Sequence, residues 1–272
     1  MPDTRKDLVW IKRIALLIAA GLLIYFIIMT VIIPVSRFNI EIPEKITGKD
    51  NFNYSDLNWQ LKVGDSVKNK TIALLSQEAF LLSRLVMTKS DSISLAVSLQ
   101  DSSISLVVQG VTIYSAKIQA FWISNAIKKT DSFILAQWLS LPFTVNTHFS
   151  SIPKVPVLYK KAPKDTIEAM NQLELDPMKD DLDPVYFSMN LDRKLFLRFE
   201  QAEKPVKGNI KQLKAYKRQL KTTYRKEIFY HLLRFSPIEF VPEIKIVLDK
   251  KAARVIYRAL PVDAFVAIQL PE

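Results

Sequence analysis

The chain of 272 residues has no cysteine, five glycines and two histidines. Without cysteine there is no disulfide, thiol nucleophile, cysteine-held zinc or iron–sulfur site, or lipid attached through sulfur. So few glycines exclude glycine-rich phosphate loops. His148 and His231 stand alone, outside any HExxH pattern, and do not make a catalytic zinc site. Apolar residues are abundant, at 49%, and the net charge is +11. A core can therefore be buried without covalent staples, and the chain is not a disordered one.

Residues Ile14 to Ile33 form a run of twenty without a charge. As a helix, rising about 1.5 Å per residue, it would be about 30 Å long and match a bilayer core. Arg5, Lys6, Lys12 and Arg13 precede it, whereas Arg37, Lys45 and Lys49 after it are nearly cancelled by Glu41, Glu44 and Asp50. The charge bias predicts a cytoplasmic tail (1–13), one transmembrane helix (14–33) and a periplasmic or extracytoplasmic remainder, with Trp10 as an interfacial anchor. The run ends in VIIPVSR, not in a small-residue cleavage site, which favours an uncleaved inner-membrane anchor over a signal peptide.

Beyond a linker (34–68), periodicity predicts two units. In the first (69–163), Ile72, Leu75, Ala79, Leu82 and Val86 mark a helix. Two strands follow, with Ile93 to Leu99 and Ile104 to Val108 alternating with serines, so that Ser94 and Ser98 are expected on a wet face. A helical region is then expected over 116–139, with Ser132 as a cap, and a strand in which Phe143, Val145 and Phe149 share one face and His148 the other. In the second unit (164–272), strands at 185–191 and 195–199 precede a long helix at about 209–234, a strand reaching Leu248 and another at 253–258. VLYKKAPKD from Val157 parallels VIYRALPVD from Val255 and suggests a duplication. The expected fold class is α+β: two tandem helix-covered antiparallel-sheet domains behind the transmembrane helix.

A short tail, one membrane helix and small helix-strand-strand-helix-strand-strand domains resemble the inner-membrane alignment or platform subunits of bacterial type IV pilus and type II secretion machines. The resemblance lies in element order. It implies a permuted ferredoxin-like architecture and association with similar domains of partner subunits.

From Lys204 to Lys226 there are nine basic residues and no acidic one. On a helix, Lys207, Lys211, Lys214, Arg218, Lys221 and Arg225 fall within an arc of about 80°. Leu213, Leu220, Tyr224 and Ile228 form an adjoining apolar stripe, expected to dock on a sheet and turn the basic face outward. Such a face suits envelope membrane-protein partners, a second copy of the chain, anionic lipid or an acidic cell-wall polymer. With the helix placed outside the cytoplasm, nucleic acid is not an expected partner.

Catalytic signals are sparse. Ser151 and Lys154 spell SxxK, but Pro153 breaks the helix such a pair needs. Asp165 and Asp263 each follow a proline by two residues and are expected as turn or cap residues. No catalytic, cofactor-binding or metal-binding residue is expected. The functional expectation is a membrane-anchored scaffold or assembly subunit of an envelope complex, with an envelope polymer- or lipid-binding module as the alternative.

Overall fold

The computed structural model describes residues 4–28, 40, 65–154, 183–205, 210–234 and 240–271. The described chain divides into two compact units, one made of residues 1–39 and 219–241, the other of 40–218 and 242–272.

The larger unit is a closed barrel of eight strands. In chain order its elements are α2 (Asp65–Met87), β1 (Ser94–Ser98), β2 (Ser103–Val108), β3 (Val111–Ile123), α3 (Asn125–Lys129), α4 (Ser132–Leu139) and β4 (Phe143–Ser150). There follow β5 (Tyr186–Leu191), a 3-10 turn (Asp192–Lys194), β6 (Phe196–Gln201), α5 (Ile210–Leu233, of which residues 219 onward belong to the smaller unit), β7 (Glu243–Leu248), α6 (Lys250–Ala259) and β8 (Phe265–Gln269). Around the ring the order is β1-β2-β3-β7-β6-β5-β4-β8, closed by β8 against β1. Only β1 with β8 and β6 with β7 are parallel.

This closure corrects the expected fold. Two tandem sheets, permuted ferredoxin-like or otherwise, would keep their strands apart. Instead β3 pairs with β7, β4 with both β5 and β8, and β1 with β8, so strands from both halves share one ring. The physical reason lies in β3 and β4. Each is long enough to pair with one neighbour along its first part and another along its second, and each is bent by a bulge where it changes partner or register. In the closed ring every strand has a neighbour on both sides, so no strand is an edge strand throughout its length. The boundary expected at residue 163 and the first copy of the VLYKKAPKD parallel lie outside the described residues.

Ring order also places the helices. β3 and β4 stand on opposite sides of the ring, as do β7 and β8, so α3–α4 pass over one end and α6 over the other. At the first end Trp138 is buried edge-on to Phe143, their ring centroids 5.0 Å apart. At the other, Tyr257 of α6 meets Phe187 at 5.2 Å. Between them the inward side chains Leu95, Val97, Ile104, Phe187, Leu197, Phe199, Ile244, Ile246 and Val266 are all fully buried.

Four local expectations also change. Residues 116–123 continue β3 instead of starting a helix. The stretch expected as a strand at 253–258 is part of α6: Asp249 caps it by accepting from Lys251 N, and Ala252, Ala253, Ile256 and Tyr257 are buried at helical spacing. The cap of α4 is Asp131, which accepts from Phe133 N, not Ser132. Ser94 and Ser98 are buried, not wet, and α2 packs Phe80 and Met87 on Ala96, Val107 and Ala267 on the same outer side of the barrel.

The β2–β3 turn depends on Gly110, whose φ is +85° and whose absent Cβ would lie 2.8 Å from Thr88 Cγ2. Gly110→Ala is expected to lower stability by about 1–2 kcal/mol through the left-handed backbone alone. Chemical denaturation should show part of any further loss restored by Thr88→Ser, which removes the methyl group the new Cβ would strike.

In the smaller unit, α1 (Thr4–Ile27) is a helix that leaves Trp10, Leu16, Leu17, Leu23 and Ile24 exposed. Of the span expected at 14–33, the part within α1 is Ile14–Ile27, about 21 Å of helix against a bilayer core of about 30 Å. The other end of α1 carries Arg5, Lys6, Asp7, Lys12 and Arg13. No helix among the described residues is long and apolar enough to cross a membrane. This corrects the single-pass anchor, the inner-membrane placement drawn from it and the function stated as a membrane-anchored envelope subunit. Residues 29–33 lie outside the described residues.

Candidate functional sites

Helix α5 carries the basic residues singled out in the sequence. Leu213 and Tyr216 are buried at 4% and 3% exposure and seat its first half on the barrel. Lys211, Lys214 and Arg218, at helical spacings of three and four, are exposed there, with Lys217 beside them 5.9 Å from the Tyr186 ring centroid. Lys207 lies outside the described residues. Lys221 and Arg225 are exposed on the part of α5 assigned to the smaller unit. Of the expected docking stripe, Leu213 is buried and Leu220 and Ile228 are half-buried, whereas Tyr224 is 62% exposed.

The outer sheet surface near α5 is internally neutralised. Arg198 Nε lies 3.0 Å from Glu243 Oε1, and Lys245 Nζ lies 2.8 Å from Glu200 Oε2. Among the described residues, Lys211, Lys214 and Arg218 form no ion pair. Burial raises the Tyr216 phenol above its ordinary value; Ser188 and Arg198 oppose that rise, and Glu200 and Glu243 add to it. Tyr216 therefore remains a neutral spacer between sheet and helix.

A second cluster was hidden by the pattern of β4. The bulge between Val145 and Thr147 resets the alternation, pairing His148 with Met189 and Ser150 with Phe187 on the inward side, and Phe149 with Ser188 on the outward side. His148 thus faces the barrel mouth, and not the face opposite Phe143 and Val145. Its ring centroid is 6.0 Å from that of Tyr257, and Lys154 Nζ is 5.6 Å from the same ring centroid. Burial, and then the Lys154 charge, lower the His148 imidazole below its ordinary value; burial lowers Lys154 and raises Tyr257, the latter against a hydrogen bond with Ser150. The SxxK serine is occupied elsewhere. Ser151 Oγ donates to Pro184 O and accepts from Tyr186 N, tying the end of β4 to the start of β5.

The third feature is a groove of about 770 Å³ along α2, lined by Leu74, Leu81, Leu85, Glu78 and Arg84 and bounded by Gly110. Among the described residues, no three His, Asp or Glu side chains are placed to hold a metal ion. Asp165 lies outside the described residues, and Asp263 sits in the turn before β8. No protein-family model, curated protein or solved structure matches this chain.

Proposed function

We propose that the barrel is a docking module that receives an acidic protein surface on the Lys211, Lys214 and Arg218 face of α5. The observation that carries this reading is the placement of three exposed cations, without an ion pair among the described residues, on successive turns of a helix seated on the barrel by Leu213 and Tyr216. The nearby sheet carboxylates are held by Arg198 and Lys245, so they do not draw these cations inward. A fixed row of like charge steers an oppositely charged partner and sets its register more than it adds stability.

Reversing all three charges (Lys211→Glu, Lys214→Glu, Arg218→Glu) is expected to weaken binding of a poly-glutamate peptide at least tenfold at about 50 mM salt. The difference should shrink at about 300 mM. The melting temperature should stay close to that of the natural chain, because exposed charges contribute little to folding. Reversal of Lys89, Lys128 and Lys129, exposed elsewhere on the barrel, serves as the control. Equal loss in both variants would reduce the effect to net charge and defeat the docking face. Binding to vesicles containing anionic lipid, without binding to the peptide, would identify lipid as the ligand instead.

A further inference from the structure

Almost every inward position of the barrel is apolar, yet the mouth beneath α6 presents an imidazole, an ammonium and two hydroxyls. The bulge in β4 turns His148 and Ser150 inward, the segment after β4 brings Lys154 over the Tyr257 ring, and α6 supplies Tyr257 itself. A bulge that re-aims polar side chains into a barrel mouth is a local departure from the folding pattern, of the kind retained at binding sites. From this geometry we infer that His148, Lys154 and Tyr257 form a binding site for a small oxyanion, a phosphate or a carboxylate.

The chemistry fits an anion on each count. Lys154 has three donors and no acceptor, the imidazolium form of His148 donates from both nitrogens, and the Tyr257 hydroxyl donates at neutral pH. β5 faces His148 with Met189 and Phe187, which carry no charge. Among the described residues, Lys154 is the charged group that acts on His148, and the two cations disfavour each other. An oxyanion between them would reverse that repulsion with charge-assisted hydrogen bonds. Because such an anion binds the imidazolium better than the imidazole, linkage requires that it raise the pKa of His148.

Proton NMR of the full chain tests the assignment, since His148 and His231 are the only histidines. Titrations with inorganic phosphate and, separately, with acetate are expected to shift the His148 ring signals saturably and raise its pKa, leaving His231 in place. Lys154→Gln should weaken that response roughly tenfold, and Lys154→Arg should keep it. A saturable response to phosphate alone or to acetate alone supports the site and identifies its ligand class. Parallel movement of both histidines, no movement with either anion, or an undiminished response in a folded Lys154→Gln protein would overturn it.

Discussion

Truncating Phe199 to alanine is expected to destabilise the barrel by about 3–5 kcal/mol, as for other large aromatic deletions in cores. Phe199 is fully buried on β6, and its ring stacks on that of Phe187 with centroids 4.4 Å apart and an interplanar angle of 11°. The loss combines the transfer energy of the ring, the cavity left at the barrel centre and an aromatic contact worth about 0.5–1.5 kcal/mol. Both neighbouring strands feel the cavity, since Phe199 pairs with Phe187 on one side and Ile246 on the other. Phe199→Leu keeps most of the volume and should cost about 1–2 kcal/mol. Urea unfolding would show it as a lower midpoint at unchanged slope. A Phe199→Ala midpoint within error of the natural chain would mean that the barrel is not filled as described.

Arg193→Ala is expected to cost about 2–4 kcal/mol, although Arg193 is a charged residue in a three-residue turn. Its side chain is 10% exposed and closes the barrel end under α4. The guanidinium carbon lies 3.8 Å from the Phe143 ring centroid, Nη1 donates to Trp138 O at 2.6 Å, and Nη2 donates to Leu141 O at 3.0 Å. Burial lowers the guanidinium pKa and Asp192 counteracts it. Alanine would leave two carbonyls without their donor and an aromatic face without its cation. Relief of the guanidinium desolvation offsets part of that loss. Lysine should recover less than half, because an ammonium cannot hold both carbonyls in a planar fork while stacking on Phe143. The backbone gives an independent check. Arg193 has φ of +51°, so Arg193→Gly should be more stable than Arg193→Ala by about 1 kcal/mol, despite deleting the same contacts. The reverse order in thermal unfolding would refute the proposed backbone contribution.

The packing energies also bear on α5. Leu220 is half-buried, so Leu220→Ala should cost less than the deletion of a fully buried leucine. The groove on α2 shows a similar limit of pattern reading. Ala79 is buried as its helical spacing predicts, whereas Leu82 remains 39% exposed. Spacing identifies an apolar stripe but not how much of it the barrel covers.

What the sequence determined alone was local. Alternation fixed the hairpins β1–β2 and β5–β6, helical spacing fixed α2 and α5, and the absence of acids over Lys204–Lys226 fixed the charge of the α5 face. Each depends on residues a few positions apart, where side-chain direction follows directly from backbone period. Tertiary structure decided the closure. Its hydrogen bonds link segments as distant as Ser98 and Gln269, and the identity of neither strand encodes its partner. It also decided α6, where residues 253–258, expected as a strand, lie in a ten-residue helix fixed by the Asp249 cap and by burial of Ala252, Ala253, Ile256 and Tyr257. Most consequential was the bulge at Val145–Thr147. One extra residue in β4 sends Phe149 outward and His148 inward, because a strand with a period of two exchanges its faces at a single insertion.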